Sequence, residues 1–155
     1  MGTKTVLSQT GSDNPTWGAN APTNAVINVQ STTITTALNL GSVASGGEVQ
    51  VTGLTVAITP KTTSSKMLLM YNVMASKSVL GGMAILILKR DTTAIGVATS
   101  TQSNQLASTN AFDNYNTVSG AVAQNTAVAS GTFLDSPSTT SEITYKVFLL
   151  SYNSK

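Results

Sequence analysis

The chain of 155 residues contains no cysteine and no histidine. Without cysteine there is no disulfide framework and no thiolate, either as nucleophile or as metal ligand. Without histidine the commonest general base and the commonest transition-metal ligand are missing. Charge is scarce too. Asp, Glu, Lys and Arg make up 9% of the residues, against about 25% in an average soluble protein. The net charge is +2, and the lysines are scattered, with Lys89-Arg90 the one adjacent basic pair. That pattern leaves no electrostatic footprint for nucleic acid. No run approaches the ~20 apolar residues of a membrane-spanning helix, so membrane insertion is not expected. Met1-Gly2-Thr3-Lys4 has no apolar stretch behind it and does not read as a secretory signal. Position 6 is Val, where myristoylation asks for Ser or Thr.

What is present is a β-forming pattern. Hydrophobic residues make up 41% of the chain, too many for the low-hydrophobicity, high-charge signature of disorder. The polar surface is built from Ser, Thr, Asn and Gln. The organising stretch runs from Val49 to Arg90 and holds three apolar runs, Val49–Thr59, Met67–Ala75 and Met83–Leu88. Between the first two lies Pro60-Lys61-Thr62-Thr63-Ser64-Ser65-Lys66. Pro60 cannot donate to a sheet ladder, and the hydroxyls offer local hydrogen bonds to the backbone. The first two runs are therefore expected to form an antiparallel hairpin or a corner from one sheet to another. Val49 and Val51 share one parity, whereas Leu54, Val56 and Ile58 take the other. A shift at Thr52-Gly53 is what a β-bulge produces.

The second and third runs are apolar on both parities. Met67, Leu69, Tyr71 and Val73 form one face of the second, while Leu68, Met70 and Met74 make the other apolar as well. Ile85 and Ile87 alternate with Leu86 and Leu88 in the third. An ordinary sandwich strand wets one face. No amphipathic helix is available to supply a covering layer. The pattern therefore predicts a subunit interface, with Met67, Leu69, Tyr71, Val73, Ile85 and Ile87 as its candidate residues.

Residues 1–24 carry turn and loop chemistry around a single large aromatic, Trp17, and read as an extended arm ahead of a domain over 25–155. Trp17 either anchors that arm to a partner or covers an edge of the chain's own core. Short strands are expected at Val26–Val29, over Thr32–Leu40, at Ala94–Ala98, around Ala121–Ala129 and over Ile143–Leu150. Asp135–Ser141 reads as a strong turn. Together these make roughly eight strands and no helix, the count of an all-β, antiparallel two-sheet jelly-roll sandwich.

Chemistry is hard to find. The acids are Asp13, Glu48, Asp91, Asp113, Asp135 and Glu142. A glycosidase needs two of them about 5–10 Å apart, but Asp91, Asp113 and Asp135 all sit in turn contexts where Asp caps its own backbone. No calcium loop, nucleophile elbow or phosphate loop occurs. The reading is non-enzymatic, with no cofactor and no metal. The segment from Thr99 to Asn116 offers Asn110, Phe112, Asn114, Tyr115 and Asn116, groups able to hydrogen-bond and stack on a sugar. The same segment also reads as a solvated loop with Phe112 and Tyr115 turned into the core.

Three stretches carry a resemblance. Val51–Lys66, reading VTGLTVAITPKTTSSK, and Phe133–Val147, reading FLDSPSTTSEITYKV, resemble two hairpins of the small jelly-roll domains in tail-fibre and other surface proteins of tailed bacteriophages. The arm segment with Val6-Leu7-Ser8-Gln9-Thr10-Gly11 and Pro15-Thr16-Trp17 is similar to a linker that precedes such domains. The resemblance implies a homotrimer on the virion surface, held to other virion proteins through the arm. It implies a tail-fibre or baseplate tip that contacts a host glycan or protein. The alternative is a capsid decoration protein that stabilises the head. A polysaccharide depolymerase is disfavoured by the sparse acids. The matching motifs are structural turns, so they assign no functional residue.

Overall fold

The computed structural model describes residues 26, 28–77, 83–97, 108–112 and 125–152. The chain falls into two compact units, Met1–Ser31 and Thr32–Lys155. In the first unit, the described residues are exposed and form no strand. Trp17 and the rest of residues 1–24 lie outside the described residues.

Seven strands occur among the described residues of the second unit, and no helix: β1 (Glu48–Ile58), β2 (Met67–Lys77), β3 (Met83–Arg90), β4 (Thr93–Ile95), β5 (Asn110–Phe112), β6 (Asn125–Asp135) and β7 (Ile143–Tyr152). All pairings are antiparallel. One sheet runs β1-β7-β3-β4, with β5 also on β3, and the second is the ribbon β2-β6. Since β1 and β2 belong to different sheets, the link through Pro60 is a corner and not a hairpin. Thr62 and Ser65 close it, with the Ser65 amide donating to the Thr62 carbonyl at 3.1 Å and the Thr62 amide to Ser65 Oγ at 3.1 Å.

The bulge in β1 lies where the parity changes. Five steps along β1 from Gln50 to Thr55 answer two along β7 from Phe148 to Lys146. The excess is odd, so Leu54, Val56 and Ile58 return to the face that Val49 and Val51 began. Gly53 takes a φ of +91° there, a conformation costly for any residue with a Cβ.

One core joins the two sheets. Leu86, Leu88, Ile143, Tyr145 and Val147 meet Val73 and Ala129 of the ribbon, with Phe112 and Ile95 beside them. Inward-facing Ala127, Ala129 and Gly131 of β6 are small, and Tyr71 fills the space they leave, its ring lying over Gly131. Phe133 packs against Gly96, just beyond β4.

The stretch over Thr32–Leu40 differs from the expected strand. Ile34 and Leu40 pack on the core, but Leu38, expected on the same face, is exposed, and the backbone joins no sheet. It is held instead by side chains: Thr32 Oγ1 donates to the Gly53 carbonyl at 2.9 Å, and Ile34 sits against the bulge. Of the strand expected around Val26–Val29, the described residues Val26, Asn28 and Val29 join no strand, and Val26 and Val29 are exposed. In the other direction, β5 arises in a segment too short and polar to announce itself. Thr109 positions it: its amide donates to the Leu86 carbonyl at 3.0 Å, while its hydroxyl accepts from the Leu88 amide and donates to the Ile95 carbonyl.

Candidate functional site

Two features of the second unit stand out chemically. The first is a polar cluster where β3, β6 and β7 end. Asp135 closes β6 on the inward side of the ribbon and is 6% exposed. A single guanidinium nitrogen of Arg90 donates to both of its carboxylate oxygens, at 2.8 Å each. Tyr145 Oη donates to the same carboxylate at 2.7 Å. Burial, then the hydrogen bond to Asp135 and its negative charge, hold the Tyr145 hydroxyl well above the ordinary tyrosine range, with Arg90 opposing. Asp135 therefore does not cap a surface turn. Its carboxylate ties the ribbon to the larger sheet, and each donor is matched by an acceptor, the condition for a buried polar group to be tolerated.

Asp91 does serve a turn. It takes a φ of +53° between β3 and β4, its amide donates to the Thr144 carbonyl at 2.7 Å, and its carboxylate accepts from the Thr144 amide at 2.9 Å. Lys89 extends across the outside of the larger sheet, with its ammonium 4.4 Å from the Phe148 ring centre and paired with the Glu48 carboxylate. Among the described residues no group of three acidic, histidine or cysteine side chains converges as a metal site would require.

The second feature is the outer face of the ribbon. Over residues 67–76 and 126–135 of the ribbon the odd-numbered residues turn inward and the even-numbered ones outward. The outward rungs are Leu68–Leu134, Met70–Thr132, Asn72–Ser130, Met74–Val128 and Ser76–Thr126. All ten side chains are exposed and none is charged. Met70 keeps 75% of its surface in solvent, Met74 69% and Leu68 65%. Large apolar groups this open, and contiguous, mark a contact surface in a folded protein.

This geometry corrects the interface expected from the sequence. Val73 is buried in the chain's own core, and Met67, Leu69 and Tyr71 pack against that core. Ile85 and Ile87 are 1% and 4% exposed, on the face of β3 that carries Phe148 and Leu150 opposite them in β7. Val73, Ile85 and Ile87 have no surface to give a partner, and Met67, Leu69 and Tyr71 are partly buried with their packing directed at the chain's own core. Both parities of β2 are apolar, so periodicity marks two faces but does not say which one the fold consumes.

The candidate ligand segment is corrected in part. Phe112 is 1% exposed and belongs to the core, so it has no face for a sugar. Asn110 sends its amide to the Ser130 carbonyl at 3.0 Å, linking β5 to β6. Asn114, Tyr115 and Asn116 lie outside the described residues.

No family model, curated protein or solved structure matches this chain.

Proposed function

We propose that this chain is a non-enzymatic structural protein of a tailed-phage virion surface. In this reading it is a jelly-roll subunit with an N-terminal arm that assembles as a trimer in a tail-fibre or baseplate tip and contacts the host. The observation that carries the reading is the uncharged outer face of β2 and β6, which holds Leu68, Met70, Met74, Val128 and Leu134 in solvent. A domain that offers such a face to solvent has the chemistry of a subunit rather than of a free monomer.

The two stretches similar to hairpins of phage surface domains, both of which run from one sheet to the other here, add support of another kind. Gly53 makes the bulge, Pro60 starts the corner, and Asp135 and Tyr145 link the sheets. These residues have architectural duties, as expected for motifs that carry a fold and not a reaction. Trp17 is the proposed anchor of the arm on a neighbouring virion protein. Asn114, Tyr115 and Asn116 are the groups proposed to meet a host glycan or protein.

Immunogold electron microscopy of intact particles tests the reading. Label at the tail tip is expected. Changing Asn114, Tyr115 and Asn116 to Ala should reduce adsorption while leaving the oligomer intact. Label over the head would make the protein a capsid decoration protein. Particles without the protein would overturn both forms of the proposal.

A further inference from the structure

We infer that copies of this chain meet one another through the outer face of the β2-β6 ribbon. The inference rests on the assembly reading above and adds where the subunits touch. Leu68, Met70, Met74, Val128 and Leu134 place large apolar groups in solvent, on a ribbon whose inner face is already consumed by the core.

The absence of charge favours a second copy over a different protein as the occupant. Copies arranged around a rotation axis bring the same residues of each copy together at that axis, so any charge there would approach its own like. The ten outward residues of the ribbon avoid that conflict entirely. The two methionines at the middle of the face can adjust their shape to an identical surface.

Area argues for a closed ring rather than a face-to-face pair. Eleven residues at about 3.4 Å each, on two strands each about 4.8 Å wide, cover a flat footprint of roughly 360 Å². A stable pair buries about 800 Å² on each partner. The flat face alone falls short. One edge of β6 is approached by Asn110 of β5, whereas the far edge of β2 has no strand partner among the described residues. Subunits arranged around an axis bury the face and that edge together, and so gain the missing area.

The test uses the full chain. Wild-type protein in light scattering should give about three times 15.9 kDa, and the Met70→Lys/Met74→Lys variant should give the monomer mass with unchanged circular dichroism. Peroxide footprinting of the wild type supplies an independent reading. Met70 and Met74 should oxidise several-fold more slowly in the assembly than in a Val128→Lys monomer. If the wild-type assembly survives both lysines, or oxidises freely at Met70 and Met74, this face is not the contact, and the assembly reading stands without it. A monomeric wild type overturns both. If the lysine variants fail to fold, the oxidation rates of Met70 and Met74 in the wild type are compared with those in the urea-unfolded chain, and equal rates overturn the inference.

Discussion

Arg90 places one guanidinium nitrogen 2.8 Å from both carboxylate oxygens of Asp135. The two residues stand on different sheets, β3 in the larger one and β6 in the ribbon, so the pair fixes one sheet on the other. Tyr145 completes the arrangement from β7. Losing one partner of such a pair costs more than the pair itself contributes, because the other charge stays behind in poor solvent. The Asp135→Asn variant should lose about 2–3 kcal/mol, less than for a fully buried pair because the Arg90 side chain is 24% exposed. In thermal unfolding this appears as a fall of about 5–10 °C in Tm.

Tyr145 gives the alkaline limb of stability. Its hydroxyl ionises at a higher pH in the folded chain than the ordinary value of 10.0. In the unfolded chain it sheds its proton near that ordinary value, so from about pH 10 upward the unfolded state gains protonation free energy that the folded state does not. The contribution is complete below pH 10 and is lost as pH rises toward the folded value. Urea unfolding at pH 8, 10 and 11 should show wild-type stability falling over the upper interval. Tyr145→Phe should cost about 1 kcal/mol at pH 8 through the lost hydrogen bond and should show a shallower fall above pH 10.

Gly131 exists to admit Tyr71. A Cβ at position 131 would lie 2.6 Å from Tyr71 Oη and 2.9 Å from its Cζ, closer than any real contact. Gly131→Ala should therefore swing the ring out of place and destabilise by about 1–3 kcal/mol. Combined with Tyr71→Leu, the loss should be smaller than the sum of the two single losses, because both changes act on one space. Additive losses in denaturant unfolding would show that the ring and the glycine do not share it.

Phe112 is a core residue carried on a three-residue strand. Phe112→Ala should cost about 3–5 kcal/mol in equilibrium unfolding, the range for a large buried aromatic. A loss below 1 kcal/mol would mean that the ring is not packed as found.

Gly53 tests the bulge. With φ at +91°, an alanine there must adopt a conformation that L-residues avoid, and its Cβ would press on Ile34 at 3.1 Å. Gly53→Ala should destabilise by about 1–2 kcal/mol. Ile34→Val should relieve the contact but not the backbone strain, so it should recover only a minor part of the loss.

Much of the architecture was legible in the order of residues. Alternation and turn chemistry located the longer strands from Val49 onward, though not β5, because a strand repeats every two residues and Pro, Gly and Ser punctuate it. The bulge at Gly53 was readable as a change of parity, and the absence of histidine and cysteine narrowed the chemistry before any coordinates. Three matters were decided by tertiary structure alone. The first is which face of a doubly apolar strand goes inside: β2 reads the same on both parities, and only the placement of β6 and the larger sheet turned Tyr71 and Val73 inward and left Met70 and Met74 out. The second is the fate of an alternating segment without a neighbour: Thr32–Leu40 has the pattern of a strand, yet a strand exists only where another backbone offers hydrogen bonds. The third is the role of Asp135, which follows in sequence the rule for a turn cap but meets Arg90 and Tyr145, 45 and 10 residues away. Sequence records local preference, whereas contacts between distant residues are settled by the packing that brings them together.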